Sequence, residues 1–207
     1  MSIPARSSPA SLKALRQDLL ECRQCPQVTP PVVTGLAVES RIFLVGQAPG
    51  PHEGRLGRPF AYTAGRTLFK WFASIGVDEE TFRARVHMAA VLRCFPGKAP
   101  GGGDRVPARD EIERCGKWME QEAQLQRPSL VIPVGALAIR QLLPVRRLVD
   151  IIGESRPVDF FGRQVDMLAL PHPSGLSTWH RTEPGRSLLE QALEKLREHP
   201  VWTATFS

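Results

Sequence analysis

Within one short stretch, GQAPGPHEGRLGRPF, the chain places an amide (Gln47), a titratable ring (His52), a carboxylate (Glu53) and an aromatic face (Phe60). Together they offer hydrogen bonding, proton transfer near neutral pH and a surface on which a flat group can stack. A second set is the four cysteines, Cys22, Cys25, Cys94 and Cys115. The Cys22-x-x-Cys25 pair lets two thiolates converge on one centre, and Cys94 and Cys115 can each close a tetrahedral set. The spacing leaves a zinc site, an iron–sulfur cluster and unrelated core thiols all open, because zinc and the cluster accept the same four ligands. A redox CxxC fits less well, since the pair does not follow the first strand of a βαβ unit. A third candidate is His172, held between two prolines in PHPSG. It is either a rigid turn or a ring fixed in position for use.

These residues need a scaffold, and the apolar pattern supplies one. Ile42-Phe43-Leu44-Val45 is too short for a helix and is followed by Gly and Pro, which predicts a buried parallel strand ending at Gln47. Further strands are expected at 86–92, ending before Cys94, at 130–134 and at 165–170, the last running into His172. Helices are expected from Ser11 through Leu20, from Thr63 or Ala64 to Gly76, from Pro107 or Ala108 to Pro128, from Gly135 to Leu143 and over 184–198. Strands alternating with helices argue for an α/β fold with a parallel sheet, in which ligands bind beyond the carboxyl ends of the strands. The segment 97–107, GKAPGGGDRVP, reads as a flexible basic loop, and no internal repeat or linker divides the 207 residues, so one domain over 1–207 is expected.

Hydrophobic residues make up 42% and charged residues 23%, an ordinary globular balance, and no apolar run is long enough to span a bilayer. The start, MSIPARSSPAS, lacks an apolar signal core, so a cytoplasmic protein without membrane attachment is expected. That setting also disfavours disulfides. Basic residues exceed acidic ones, 27 against 21, and Arg55, Arg58, Lys98, Arg105, Arg109, Arg181 and Arg186 fall in expected loops, as a phosphate-binding rim would require. Trp179 and His180 add two rings, beside Arg181, that could stack on a flat partner.

GQAPG, then GRPFAYTAGRTL, the four cysteines, DRVPARDE and HPSGLS resemble, in that order, the uracil-DNA glycosylase superfamily. The pattern is nearest to the bacterial and archaeal family-four type, which carries a 4Fe-4S cluster. The resemblance runs from about Leu20 to Leu196. It implies a three-layer α/β/α sandwich around a four-stranded, mostly parallel sheet. It also implies a monofunctional, monomeric DNA-repair enzyme acting at the nucleoid that hydrolyses the N-glycosidic bond of uracil in single- or double-stranded DNA. Cys22, Cys25, Cys94 and Cys115 match the cluster's ligand positions. Gln47 and Ala48 fall in the water-placing first motif, behind Gly46, whose following backbone N–H groups face the base. Phe60 matches the aromatic that stacks on a flipped uracil, and His172 the histidine that contacts its carbonyl oxygen. Ser174 and Leu176 match the loop that presses on the minor groove.

The chain departs from that pattern at three positions. Gln47 replaces the usual glutamate and Ala48 the aspartate of the classical enzymes, so the first motif holds no carboxylate. Ala90 stands where an asparagine normally reads uracil. His52 is then the best local substitute base, with Glu53 next. A non-catalytic or weakly catalytic uracil- or abasic-DNA-binding protein is the rival reading. An unrelated iron–sulfur redox protein is more remote, because no GxGxxG follows a strand.

Overall fold

The computed structural model describes residues 11–175 and 177–207. In chain order the elements are α1 (Leu12–Leu20), β1 (Ile42–Gly46), α2 (Glu53–Leu56), α3 (Thr63–Ser74), α4 (Glu79–Arg85), β2 (His87–Ala90), α5 (Arg109–Gln126), β3 (Leu130–Pro133), α6 (Ala136–Leu142), β4 (Ser155–Asp159), β5 (Gln164–Leu168), α7 (Gly185–Glu198) and α8 (Pro200–Phe206). Every residue of β1, β2 and β3 is buried. Successive strand side chains point to opposite faces, so these strands must be covered on both sides. An α/β/α sandwich results.

The sheet has five strands in the order β2-β1-β3-β5-β4, not the four expected. The first four in that order are mutually parallel, and β4 pairs antiparallel to β5 at the edge. The extra strand, SRPVD, carries a proline and is exposed at all but one position. Proline and polarity are tolerated at an edge, where one side of the strand owes no ladder bonds, and the same features hide such a strand in sequence. β2 and β3 lie on opposite sides of β1, so the strand order reverses there and opens a crevice above the carboxyl ends of β1 and β3.

The helices begin where cap chemistry places them. Ser11 Oγ accepts the Ala14 N–H at 3.2 Å, and Leu15 and Leu19 turn inward. Asp78 caps α4 by accepting the Thr81 N–H at 2.9 Å. Phe72 of α3 stacks on Phe82 of α4 at 4.3 Å between centroids, and Trp202 and Phe206 of α8 close the group. α1 instead packs against α5. No helix among the described residues is long and apolar enough to cross a membrane.

Just beyond β2, Arg93 is 1% exposed. Its Nε donates to Ala90 O at 2.8 Å, and Nη1 donates to Thr34 Oγ1 at 3.0 Å and to Glu122 Oε1 at 3.1 Å. Nη2 meets the other Glu122 oxygen. Burial alone would raise the Glu122 pKa, but the Arg93 charge, with help from His87, brings it down to about 2. A carboxylate held below its unfolded value of 4.5 adds stability above that pH, and the contribution is lost as pH falls from about 4.5 through about 2. Glu122→Ala leaves a buried guanidinium without its counter-charge and is expected to cost about 3–5 kcal/mol in urea unfolding. The variant should also lose the share of acid-dependent destabilisation that Glu122 contributes in that window.

Candidate active site and cysteine cavity

The loops after β1, β2 and β5 surround a cavity of about 610 Å³. Gln47, Ala48, His52, Phe60, His172 and Ser174 line it, so the expected site residues from distant parts of the chain do meet. Leu176 lies outside the described residues.

Phe60 is placed by force. Its φ is +53°, the left-handed region that side chains other than glycine avoid. Arg83 holds it there by donating to Pro59 O at 2.9 Å and Phe60 O at 3.0 Å. Two glycines make room. A Cβ on Gly65 would sit 1.7 Å from Phe60 O, and one on Gly46 would sit 2.9 Å from the Phe60 ring. Gly46 therefore forms the floor beneath the ring rather than a free wall of the pocket. The carbonyl oxygens of Gly46 and Gln47 accept the N–H groups of Val91 and Leu92, at 2.9 and 3.1 Å, which stitches the loop to the continuation of β2.

Glu53, a candidate base by sequence, takes a structural role. It is 8% exposed, and its two oxygens accept the Gly50 N–H at 2.7 Å and the Ala61 N–H at 3.0 Å. Burial raises its pKa while these backbone bonds oppose the rise. The carboxylate straps both ends of the loop together. His52 is exposed, with its ring 4.3 Å from that of Tyr62. Ala90, paired beside Gly46, presents only a methyl group beneath Phe60.

His172 follows β5 and lies over Gly135, where a Cβ would come within 2.9 Å of the ring, and whose φ of +88° also requires glycine. The Ser174 N–H donates to His172 Nδ1 at 3.2 Å. Burial lowers the His172 pKa from the usual 6.5, with the Asp104 carboxylate opposing. The ring is thus neutral at pH 7, and with Nδ1 accepting, the proton resides on Nε2 as a hydrogen-bond donor.

Asp104, which is not among the site residues expected from the sequence, lines the same cavity. It arrives on a hairpin that the glycine-rich segment had suggested was a flexible loop. The usable signal was a lysine and an aspartate flanking GGG, since close strands can pair them. The basic rim is less free than composition implied. Arg58 meets Glu80 at 3.1 Å, Arg105 meets Glu111 at 2.8 Å and Lys98 meets Asp104 at 2.7 Å. His180 is buried edge-on to Trp71 and offers no face for stacking on DNA.

The four cysteines line a second cavity, of about 230 Å³, between the end of α1, the segment after β2 and α5. None of the four forms a disulfide. Burial pushes Cys94 up to about 12, and the other three cysteines add to the rise; burial pushes Cys115 up to about 11. The four side chains share the lining of this one void. Arg23, Arg93 and Arg114 line the same cavity, and the buried Nε of Arg114 has no hydrogen-bond partner among the described residues. An anionic group with four thiolate ligands fits a void ringed by sulfur and guanidinium. No three His, Cys, Asp or Glu side chains among the described residues are arranged to hold a single metal ion.

The state of His172 can be checked directly. In ¹⁵N–¹H correlation spectra its ring is expected to titrate below 6.5 and to show protonated Nε2 and bare Nδ1 at pH 7.

A model of the uracil DNA glycosylase superfamily matches residues 34–197. The type-4 uracil-DNA glycosylase of Archaeoglobus fulgidus is 28% identical over 174 residues, spanning 80% of this chain and 83% of that one. That of Thermotoga maritima is 25% identical over 189 residues, spanning 90% and 93%. The type-5 uracil-DNA glycosylase of Pyrobaculum aerophilum is 27% identical over 176 residues, spanning 77% and 71%. With its match covering the whole sheet, the three cavity-lining loops and His172, the chain belongs to the uracil DNA glycosylase superfamily.

Proposed function

We propose that the protein is a monofunctional DNA-repair glycosylase that hydrolyses the N-glycosidic bond of uracil in DNA and leaves an abasic site. The observation that carries this reading is His172, whose Nδ1 accepts the Ser174 N–H and so leaves Nε2 as the donor, sharing one cavity with a strained, positioned aromatic ring. Inside a duplex the anomeric carbon is inaccessible, so the nucleotide is flipped into the pocket. Phe60 stacks on the base. As the bond breaks, negative charge gathers on the uracil carbonyl oxygen, and His172 Nε2–H donates to it. A neutral donor suits an oxygen anion because no proton need be transferred. Gln47 helps to place the water. Uracil-containing DNA, single- or double-stranded, is the substrate, and the enzyme works as a monomer in the cytoplasm.

The cysteine cavity is the second part of the proposal. Cys22, Cys25, Cys94 and Cys115 hold a 4Fe-4S cluster, which supplies a structural cross-link between three segments. Binding displaces the thiol protons, and Arg23, Arg93 and Arg114 balance the charge that results.

A non-catalytic uracil-DNA-binding protein remains the second reading, favoured by the methyl group at Ala90 and the absence of a free carboxylate in the first motif. Incubation with uracil-containing oligonucleotides, followed by alkali, separates the two. Strand cleavage is expected, and intact strands with retained binding would establish the second reading. His172→Ala should lower single-turnover uracil release about 10²- to 10³-fold, more than Gln47→Ala. An unchanged rate would show that His172 is not the oxyanion donor.

Anaerobically purified protein should be brown, with broad visible absorbance. Cys94→Ser should bleach it and lower the Tm. A colourless protein carrying one stoichiometric zinc would overturn the cluster assignment.

A further inference from the structure

Hydrolysis needs a group that holds the attacking water, and the segment 46–60 has no free carboxylate for the task. Gln47 is an amide, Ala48 a methyl group, and Glu53 commits both oxygens to backbone N–H groups. A carboxylate enters the cavity from elsewhere in the chain. Residues 97–105 fold into a narrow hairpin, in which Lys98 and Asp104 form an antiparallel bridge. The Arg105 N–H donates to Gly97 O at 2.8 Å, the Ala99 N–H to Gly103 O at 3.2 Å and the Gly102 N–H to Ala99 O at 3.0 Å. The turn needs φ of +81° at Gly102 and +72° at Gly103, which glycine adopts without strain.

The base of the hairpin is anchored. The Arg105 guanidinium grips the buried Glu111 carboxylate with two hydrogen bonds, at 2.9 and 2.8 Å, while Nε donates to Pro96 O at 2.8 Å. That anchorage aims Asp104 at the first-motif loop. Lys98 Nζ holds Oδ1 at 2.7 Å. The other oxygen, Oδ2, lies 3.8 Å from the place a Cβ on Gly50 would occupy, directly over the loop that follows Gln47. Asp104 also faces His172 closely enough for its charge to act on the ring.

We propose that Asp104 is the carboxylate of this glycosylase site, positioning the attacking water through Oδ2 and accepting its proton. The inference rests on the glycosylase reading above. The C1′–N1 electron pair leaves on the uracil, whose carbonyl oxygen is held by His172. The water oxygen bonds to C1′, and one of its protons passes to Asp104, which returns it to solvent. No further reactant is required. A carboxylate beside the sugar also stabilises the positive charge that C1′ develops before attack. Lys98 is a positioning residue, turning Oδ1 aside so that Oδ2 faces the cavity.

Single-turnover uracil release and DNA affinity, measured together on three variants, test this. Asp104→Asn preserves size and backbone pairing but removes the charge. It is expected to slow release about 10²- to 10⁴-fold, the range for losing a general base, with unchanged Tm and no weaker binding to uracil-containing DNA. Asp104→Glu should recover part of the rate. Lys98→Ala should lose less than Asp104→Asn. Wild-type release by Asp104→Asn, in a preparation whose parent protein excises uracil, would overturn the inference while leaving the glycosylase reading intact. Equal losses in Asp104→Asn and Lys98→Ala, each with a lowered Tm, would also overturn it, by reducing Asp104 to a lock for the hairpin. A parent protein that releases no uracil would instead overturn the reading beneath it.

Discussion

The buried Arg93 guanidinium is the contact on which the rest of the molecule leans. One side chain ties the carboxyl end of β2 through Ala90 O, the connector before β1 through Thr34, and α5 through Glu122. It also precedes Cys94 in the chain, and its backbone N–H reaches the Cys115 thiol. A buried ion pair is a poor source of net stability compared with a well-packed apolar group of the same volume, but removing one partner is severe. The arrangement therefore fixes geometry more than it adds free energy. Here the geometry fixed is the junction of the base pocket floor with the cysteine cavity.

The site above follows a similar logic of opposed constraints. Arg83 and Glu53 pull on the two peptide groups flanking Phe60, one through carbonyls and the other through the Ala61 N–H. Neither touches the cavity's contents as a base or acid. Their charges are spent on holding a backbone turn that costs about 1–3 kcal/mol for a residue other than glycine. Gly46, Gly65 and Gly135 are the complement of this: each is a place where a side chain would collide with Phe60 or His172. The pocket is shaped by three absent side chains and two committed charges before any catalytic group is considered.

Much of this was legible in the residues. The strands that carry the site are continuous apolar runs closed by Gly or Pro, and the helices carry caps and stripes, so the parallel core and the placement of Gln47 and His172 just past strand ends could be read directly. The missing pieces share a physical cause. β4 is an edge strand, where exposure and Pro157 erase the pattern that marks buried strands. α4 and α8 are seven residues each, too short for a periodic signal. Glu53 looked like a candidate base because burial and backbone partners are invisible in a linear chain. Asp104 looked like part of a flexible basic loop because Arg105 and Glu111, which stiffen it, are six residues apart and pair only once α5 forms.

The left-handed backbone at Phe60 sets two stability terms against each other at a single residue. Glycine there would relax the turn and free Arg83 from part of its work. The ring also packs against the hydrophobic core, so the contacts it makes offset the strain it carries. The cavity would lose one of its aromatic faces in the same exchange. Folding and the shape of the cavity therefore favour the same residue, and variants sorted for heat resistance alone have little reason to discard it.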